Sequence, residues 1–122
     1  MATVRYLVRD VPRSVAFYVD RLDFEVEDEM LPAFARLQRG DLTLWLAGPA
    51  ASAARPMPDG RRPEPGGWNR IVIEVDNLSE LVERLRRDSA TFRNDIVKGP
   101  GGKQILLDDP DGNPIELFEA RR

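Results

Sequence analysis

The sequence predicts an α+β protein built from two tandem βαβββ modules, curling a mixed sheet around a central cleft with helices outside. Three observations carry that prediction. Apolar residues alternate, switch to helical spacing and return to alternation, and they do so twice. A Pro/Gly-rich segment separates the two passages. The anchors Val8-Arg9-Asp10-Val11 and Gly40-Asp41-Leu42-Thr43-Leu44 return as Val75-Asp76-Asn77-Leu78 and Gly112-Asn113-Pro114-Ile115-Glu116. Repetition at a fixed period signals an architecture that single motifs do not. The expected organisation is one domain over 1–122, with a first module of about 1–47, a linker over 48–67 and a second module of about 68–122.

The elements follow in order. Residues 3–9 place Val4, Tyr6 and Val8 on one face and Thr3, Arg5 and Leu7 on the other, the period of a strand. Asp10 suits the N-cap of a helix and Pro12 its first turn. Val11, Val15, Tyr18 and Leu22 then mark one helix face. Three strands are expected over 24–29, 33–38 and 42–47, the last two joined by a turn at Arg39-Gly40-Asp41. Residues 48–67 lack periodicity and read as a solvated connector or lid; loops of that length are uncommon and often functional. Residues 69–75 alternate again. Asn77, with Glu80 three residues on, suits a capping box, and Leu78, Leu81, Val82 and Leu85 form the helix face. Strands over 92–97, 104–107 and 114–119 complete the second module, with a turn at Gly99-Pro100-Gly101-Gly102.

Composition narrows the chemistry. The chain has 122 residues, 18 basic and 21 acidic, and no cysteine or histidine. A disulfide framework, a thiolate zinc site and a cysteine nucleophile are excluded. The commonest general base and transition-metal ligand is missing too. An oxygen-only site would favour Mg²⁺, Mn²⁺ or Ca²⁺. A net charge of −3 does not favour nucleic acid. No apolar run reaches the roughly 20 residues that span a bilayer, and residues 1–10 lack a signal-peptide pattern. The expectation is a soluble, cytoplasmic protein.

The βαβββ–linker–βαβββ order resembles the vicinal oxygen chelate superfamily, the glyoxalase/bleomycin resistance/dioxygenase group, along essentially the whole chain. Ser14-Val15-Ala16-Phe17-Tyr18 resembles its first helix, and Leu22-Asp23-Phe24 the exit from it, with Asp23 where glycine is common. The segment from Asp109 to Leu117 is the most family-like. In the family's metalloenzymes four strand positions supply metal ligands. Here the resemblance places Thr3, Leu44, Arg70 and Glu116 at them. An aliphatic group and a guanidinium do not ligate a cation, so the expectation is no metal and no cofactor. The resemblance also implies a homodimer.

Alternation then selects a cleft face. Arg5, Arg70, Glu74 and Glu116 should share it with the apolar Leu44, Leu46, Val72 and Phe118, a composition suited to a small molecule. Arg70 can grip an anionic ligand or pair with Glu116 in place of the metal. Glu116 is the candidate catalytic base, although a neighbouring arginine favours its charged form. Trp68, after Pro65-Gly66-Gly67, can stack on an aromatic ligand or pack the linker. Trp45 is expected in the core. The Lys98–Lys103 loop lacks phosphate-loop spacing, and the Asp108–Asn113 turn lacks the EF-hand pattern. The leading expectation is a metal-independent binding protein for an anionic or aromatic small molecule. The alternatives are an enzyme of the lyase, isomerase or dioxygenase classes with a degenerate or oxygen-only site, and an interaction protein without a small ligand.

Overall fold

The computed structural model describes residues 2–121. The chain forms two compact units, one ending at Gly66 and the other starting at Gly67.

The first unit contains β1 (Ala2–Leu7), α1 (Val11–Leu22), β2 (Glu25–Met30), β3 (Phe34–Arg39) and β4 (Leu42–Ala47). Its sheet has the order β1-β4-β3-β2, with β1 parallel to β4 and the other pairs antiparallel. The Asp10 carboxylate accepts the Arg13 N–H at 3.1 Å, so α1 starts at its expected cap. The helix ends on Asp23 at φ 60°, left-handed. Aspartate tolerates this conformation better than most residues, which explains its standing in for glycine. Val11, Tyr18 and Leu22 of α1 are buried, as are Ala35, Leu37, Leu44 and Leu46 of the sheet. The linker carries a single 3₁₀ turn, Ser52–Ala54.

The second unit contains β5 (Ile71–Glu74), α2 (Leu78–Arg87), β6 (Thr91–Phe92), β7 (Val97–Gly99), β8 (Gly102–Asp108) and β9 (Pro114–Ala120). The order is β5-β9-β8-β6, with β7 also on β8. β5 and β9 are parallel. Asn77 caps α2 as expected, its Oδ1 accepting the Glu80 N–H at 3.2 Å, while its Nδ2 donates to Glu80 Oε2 at 3.1 Å in place of the backbone bond of a full capping box. Ile71, Ile73, Leu78, Val82, Leu85, Ile105, Leu107, Ile115 and Leu117 make the core.

Two expectations change. The strand expected over 92–97 is broken into β6 and β7. At the break, the Asn94 side chain takes the Leu106 N–H at 2.9 Å, replacing a ladder bond with a side-chain one. The second correction concerns the strand that carries Leu44. The register pairs Val4 with Leu44, Arg5 with Trp45 and Tyr6 with Leu46, and cross-strand partners share a face. Leu44 and Leu46 therefore lie with Tyr6, fully buried on the helix side, and Trp45 lies with Arg5 on the open face. The repeat misleads because its turns differ in length. Arg39 and Leu42 flank a two-residue turn, whereas Asp108 and Pro114 flank five residues. Matching glycine to glycine slips the strand by one residue, and a one-residue slip exchanges the faces. In the observed register the counterpart of Glu116 is Trp45. Among the described residues, no helix is long and apolar enough to cross a membrane.

Candidate ligand-binding faces

Each sheet has a face turned away from its helix. In the second module, Val72, Glu116 and Leu106 are neighbours across β5, β9 and β8. Glu74, Phe118 and Gln104 form the next row. Val72 is 52% exposed, Glu74 is exposed and Phe118 is half-buried. Glu116 is only 8% exposed, so its carboxylate needs a partner.

Arg70 supplies it. Its Nε and Nη2 both donate to Glu116 Oε1, at 3.1 and 2.8 Å, and its Nη1 donates to the Trp68 carbonyl at 3.3 Å. Such charge-assisted bonds in a partly buried setting are the strong kind. The guanidinium is thereby committed on two sides. Glu116 Oε2 accepts no hydrogen bond among the described residues and is not sealed from solvent. Trp68 is 68% exposed, and the Arg93 guanidinium lies 4.6 Å from its ring centroid.

Arg93 is a residue that sequence reasoning passed over. Its Nε donates to Asp108 Oδ1 at 2.6 Å, Nη1 to the Gly67 carbonyl at 2.7 Å and Nη2 to the Gly112 carbonyl at 2.9 Å. One side chain thus ties the broken edge, the start of the unit and the β8–β9 turn. No local periodicity marks such a residue, because its partners are brought to it by the fold. The turn also carries bonds of its own. Asp109 accepts from the Asp111 and Asn113 N–H groups, each at 2.9 Å, and from Asn113 Nδ2 at 3.0 Å. Its carboxylate serves the turn, as the sequence reading expects.

In the first module the open face holds a different row. Arg5, Trp45 and Arg36 are neighbours across β1, β4 and β3. Arg5 lies 5.0 Å and Arg36 5.9 Å from the Trp45 ring centroid. Phe34 meets the same ring edge-on at 5.8 Å. Of this cluster the sequence reading placed only Arg5 correctly. Arg36 was not foreseen, and the slip in register sent Trp45 to the core.

A pocket of about 590 Å³ also opens on the second module, lined in part by Asp76, Lys98, Lys103, Glu119 and Arg121. None of the predicted site residues borders it. Its Glu119 is already engaged, accepting the Leu78 N–H at 2.8 Å and lying 3.6 Å from Lys103 Nζ. A carboxylate there supports the start of α2 through the helix dipole.

The model of the Glyoxalase/Bleomycin resistance protein/Dioxygenase superfamily matches residues 1–117. The chain belongs to this superfamily. The uncharacterized protein YwkD of Bacillus subtilis (strain 168) is 30% identical over 125 residues, covering 95% of this chain and 93% of that protein. The lactoylglutathione lyase of Salmonella typhimurium is 36% identical over 56 residues, 44% of this chain and 42% of that enzyme. The bleomycin-binding protein of Streptomyces verticillus, solved with copper(II)-bleomycin, superposes with a TM-score of 0.65 at 22% identity. That match covers 98% of this chain and 95% of that one, and shows the shared fold.

The resemblance implies a metal for part of this superfamily, and the residues here do not fit one. With the register corrected, the four ligand positions hold Thr3, Trp45, Arg70 and Glu116. An indole and a guanidinium offer no lone pair to a cation. Glu116 already carries the Arg70 fork on one oxygen. Among the described residues no group of three or more Asp, Glu, His or Cys could hold a metal ion.

Proposed function

We propose that this superfamily member is a metal-independent small-molecule binding protein that uses the open faces of its sheets. The observation that supports the reading best is the Arg70–Glu116 pair. A guanidinium occupies one metal-ligand position and neutralises the carboxylate at another, so a fixed cation stands where a removable one would. Around it, Val72 and Phe118 supply apolar surface, while Glu74 and Glu116 Oε2 supply acceptors. Apolar walls with a few polar groups suit a small organic ligand. Arg5 and Trp45 extend the reading to the first module. Leu44 and Leu46, being fully buried, take no part. The bleomycin-binding protein with the same fold offers a precedent for ligand binding. The reading includes a homodimer, to be checked by light scattering on an eluting peak.

The deciding experiment is metal analysis of natively purified protein, with a thermal-shift series over Mg²⁺, Mn²⁺, Ca²⁺, Ni²⁺ and Zn²⁺. The expected result is substoichiometric metal and no shift with any ion. A stoichiometric ion whose removal destabilises the protein, and whose binding is lost in Glu116→Gln, would overturn the metal-independent reading.

A further inference from the structure

The first module's open face contains two N–H groups with nothing to donate to. Trp45 Nε1 and Arg36 Nε are both sealed from solvent and have no hydrogen-bond partner among the described residues. They belong to cross-strand neighbours on one face. A buried donor without an acceptor is costly, and native structures rarely keep one without a reason. Two side by side, on adjacent strands, are more informative than either alone.

The charges agree. Arg5 and Arg36 both stand within 6 Å of the Trp45 ring centroid, and neither forms an ion pair among the described residues. The carboxylate in register with Arg36 on β2 is Asp28. Its Oδ1 takes the Glu29 N–H at 2.9 Å instead. Asp28 keeps its charge on the neighbouring strand, but no carboxylate comes within ion-pair distance of either guanidinium among the described residues, so an oxyanion that reaches the ring meets two cations. Beside the row, Phe34 is half-buried and its β2 partner Met30 is 63% exposed. They supply apolar surface next to the charges.

We propose that the Arg5–Trp45–Arg36 row binds the oxyanion of a small organic acid. Trp45 Nε1–H and Arg36 Nε–H donate to the oxyanion, and the apolar body of the ligand rests toward Phe34 and Met30. Arg5, an exposed side chain over the ring, moves aside to admit the oxyanion and then pairs with it. The inference rests on the small-molecule reading above and does not depend on metal independence. It names a class that indole and guanidinium donors recognise: carboxylates first, with phosphate as the competing source of the same chemistry.

The test is a titration followed by ¹H–¹⁵N NMR on the full chain, reading the two indole N–H resonances. Trp45→Phe assigns them by deleting one. The probes are benzoate, acetate and inorganic phosphate at constant ionic strength, with chloride as control. Benzoate should move the Trp45 indole resonance saturably and more tightly than acetate, while chloride leaves it in place. Arg36→Lys keeps the charge but loses the Nε donor, and should weaken benzoate about tenfold, the scale of one charge-assisted hydrogen bond. Trp45→Phe, followed on the Arg36 Nε–H resonance, should do the same. If phosphate saturates the resonance and benzoate does not, the oxyanion site stands with phosphate as its source and the organic-acid class is overturned. If benzoate moves the Val72 and Phe118 amides but not the Trp45 indole, the protein binds small molecules elsewhere and the row is not the site. Equal affinity in wild type, Arg36→Lys and Trp45→Phe, each shown folded by a dispersed spectrum, would likewise sink the proposal.

Discussion

The two modules repeat one fold and treat the same row of their sheets in opposite ways. In the second module the row is Val72–Glu116–Leu106, and its single charge is matched by Arg70. In the first it is Arg5–Trp45–Arg36, with two cations and two donors left without acceptors. The two rows occupy matching register positions, so at those positions the difference lies in the side chains. A satisfied pair contributes to stability, whereas an unsatisfied pair of buried donors costs it. The comparison teaches that duplication preserves register while leaving each face free to take a separate chemical role.

The largest way to break the comparison is to disturb what holds the second face. Arg93→Ala removes three hydrogen bonds and the contact with Trp68, and leaves Asp108 without its cation. Urea unfolding should show a loss of about 3 kcal/mol, with the β8–β9 turn losing amide protection first. A loss below about 1 kcal/mol would mean that the turn and edge hold without this residue.

Arg70→Ala should cost less, about 1–3 kcal/mol, because Arg70 is partly exposed while Glu116 is nearly buried. The double variant Arg70→Ala/Glu116→Ala should cost less than the sum of the single changes. Full additivity in that double-mutant cycle would show that the pair is not coupled.

The helix caps make the finest comparison. Asp10→Ala should cost about 1 kcal/mol. Asn77→Ala should cost somewhat less, because Glu119 also takes an N–H at the start of α2. Adding Glu119→Gln to Asn77→Ala should then enlarge the effect. Equal losses from Asp10→Ala and Asn77→Ala, unchanged by that addition, would remove the supporting role given to Glu119.

Much of the fold was legible because it is local. Asp10 and Asn77 announce their helices by side chains that reach only three residues on. Leu42–Ala47 is a strand with the expected bounds. Arg70 and Glu116, 46 positions apart, were brought together by the family resemblance and by the strand alternation that sends both to one face. What was not legible depends on register. Nothing within Thr43-Leu44-Trp45-Leu46 says which pair faces the helix, because a run apolar at nearly every position has no weak side. The difference in turn length decides it, and turn length is invisible when glycine is matched to glycine. Arg36 escaped for a related reason: its importance comes from Trp45, whose face was misassigned.

The Asp109 turn has a kinetic consequence. β8 and β9 are antiparallel and joined across five residues, and the Asp109 carboxylate gathers its N–H donors from within four residues. Hairpins with such local contacts form in microseconds. The parallel pairs are different. Ala2 meets Leu42, and Ile71 meets Ile115, across separations of 40 and 44 residues, and each must first close a long loop. Pulse-labelled hydrogen exchange should therefore find β8 and β9 protected before β5. The chain's most family-like segment would then be one of its early-forming hairpins, together with the tighter β3–β4 pair, with the parallel partners of each sheet joining later.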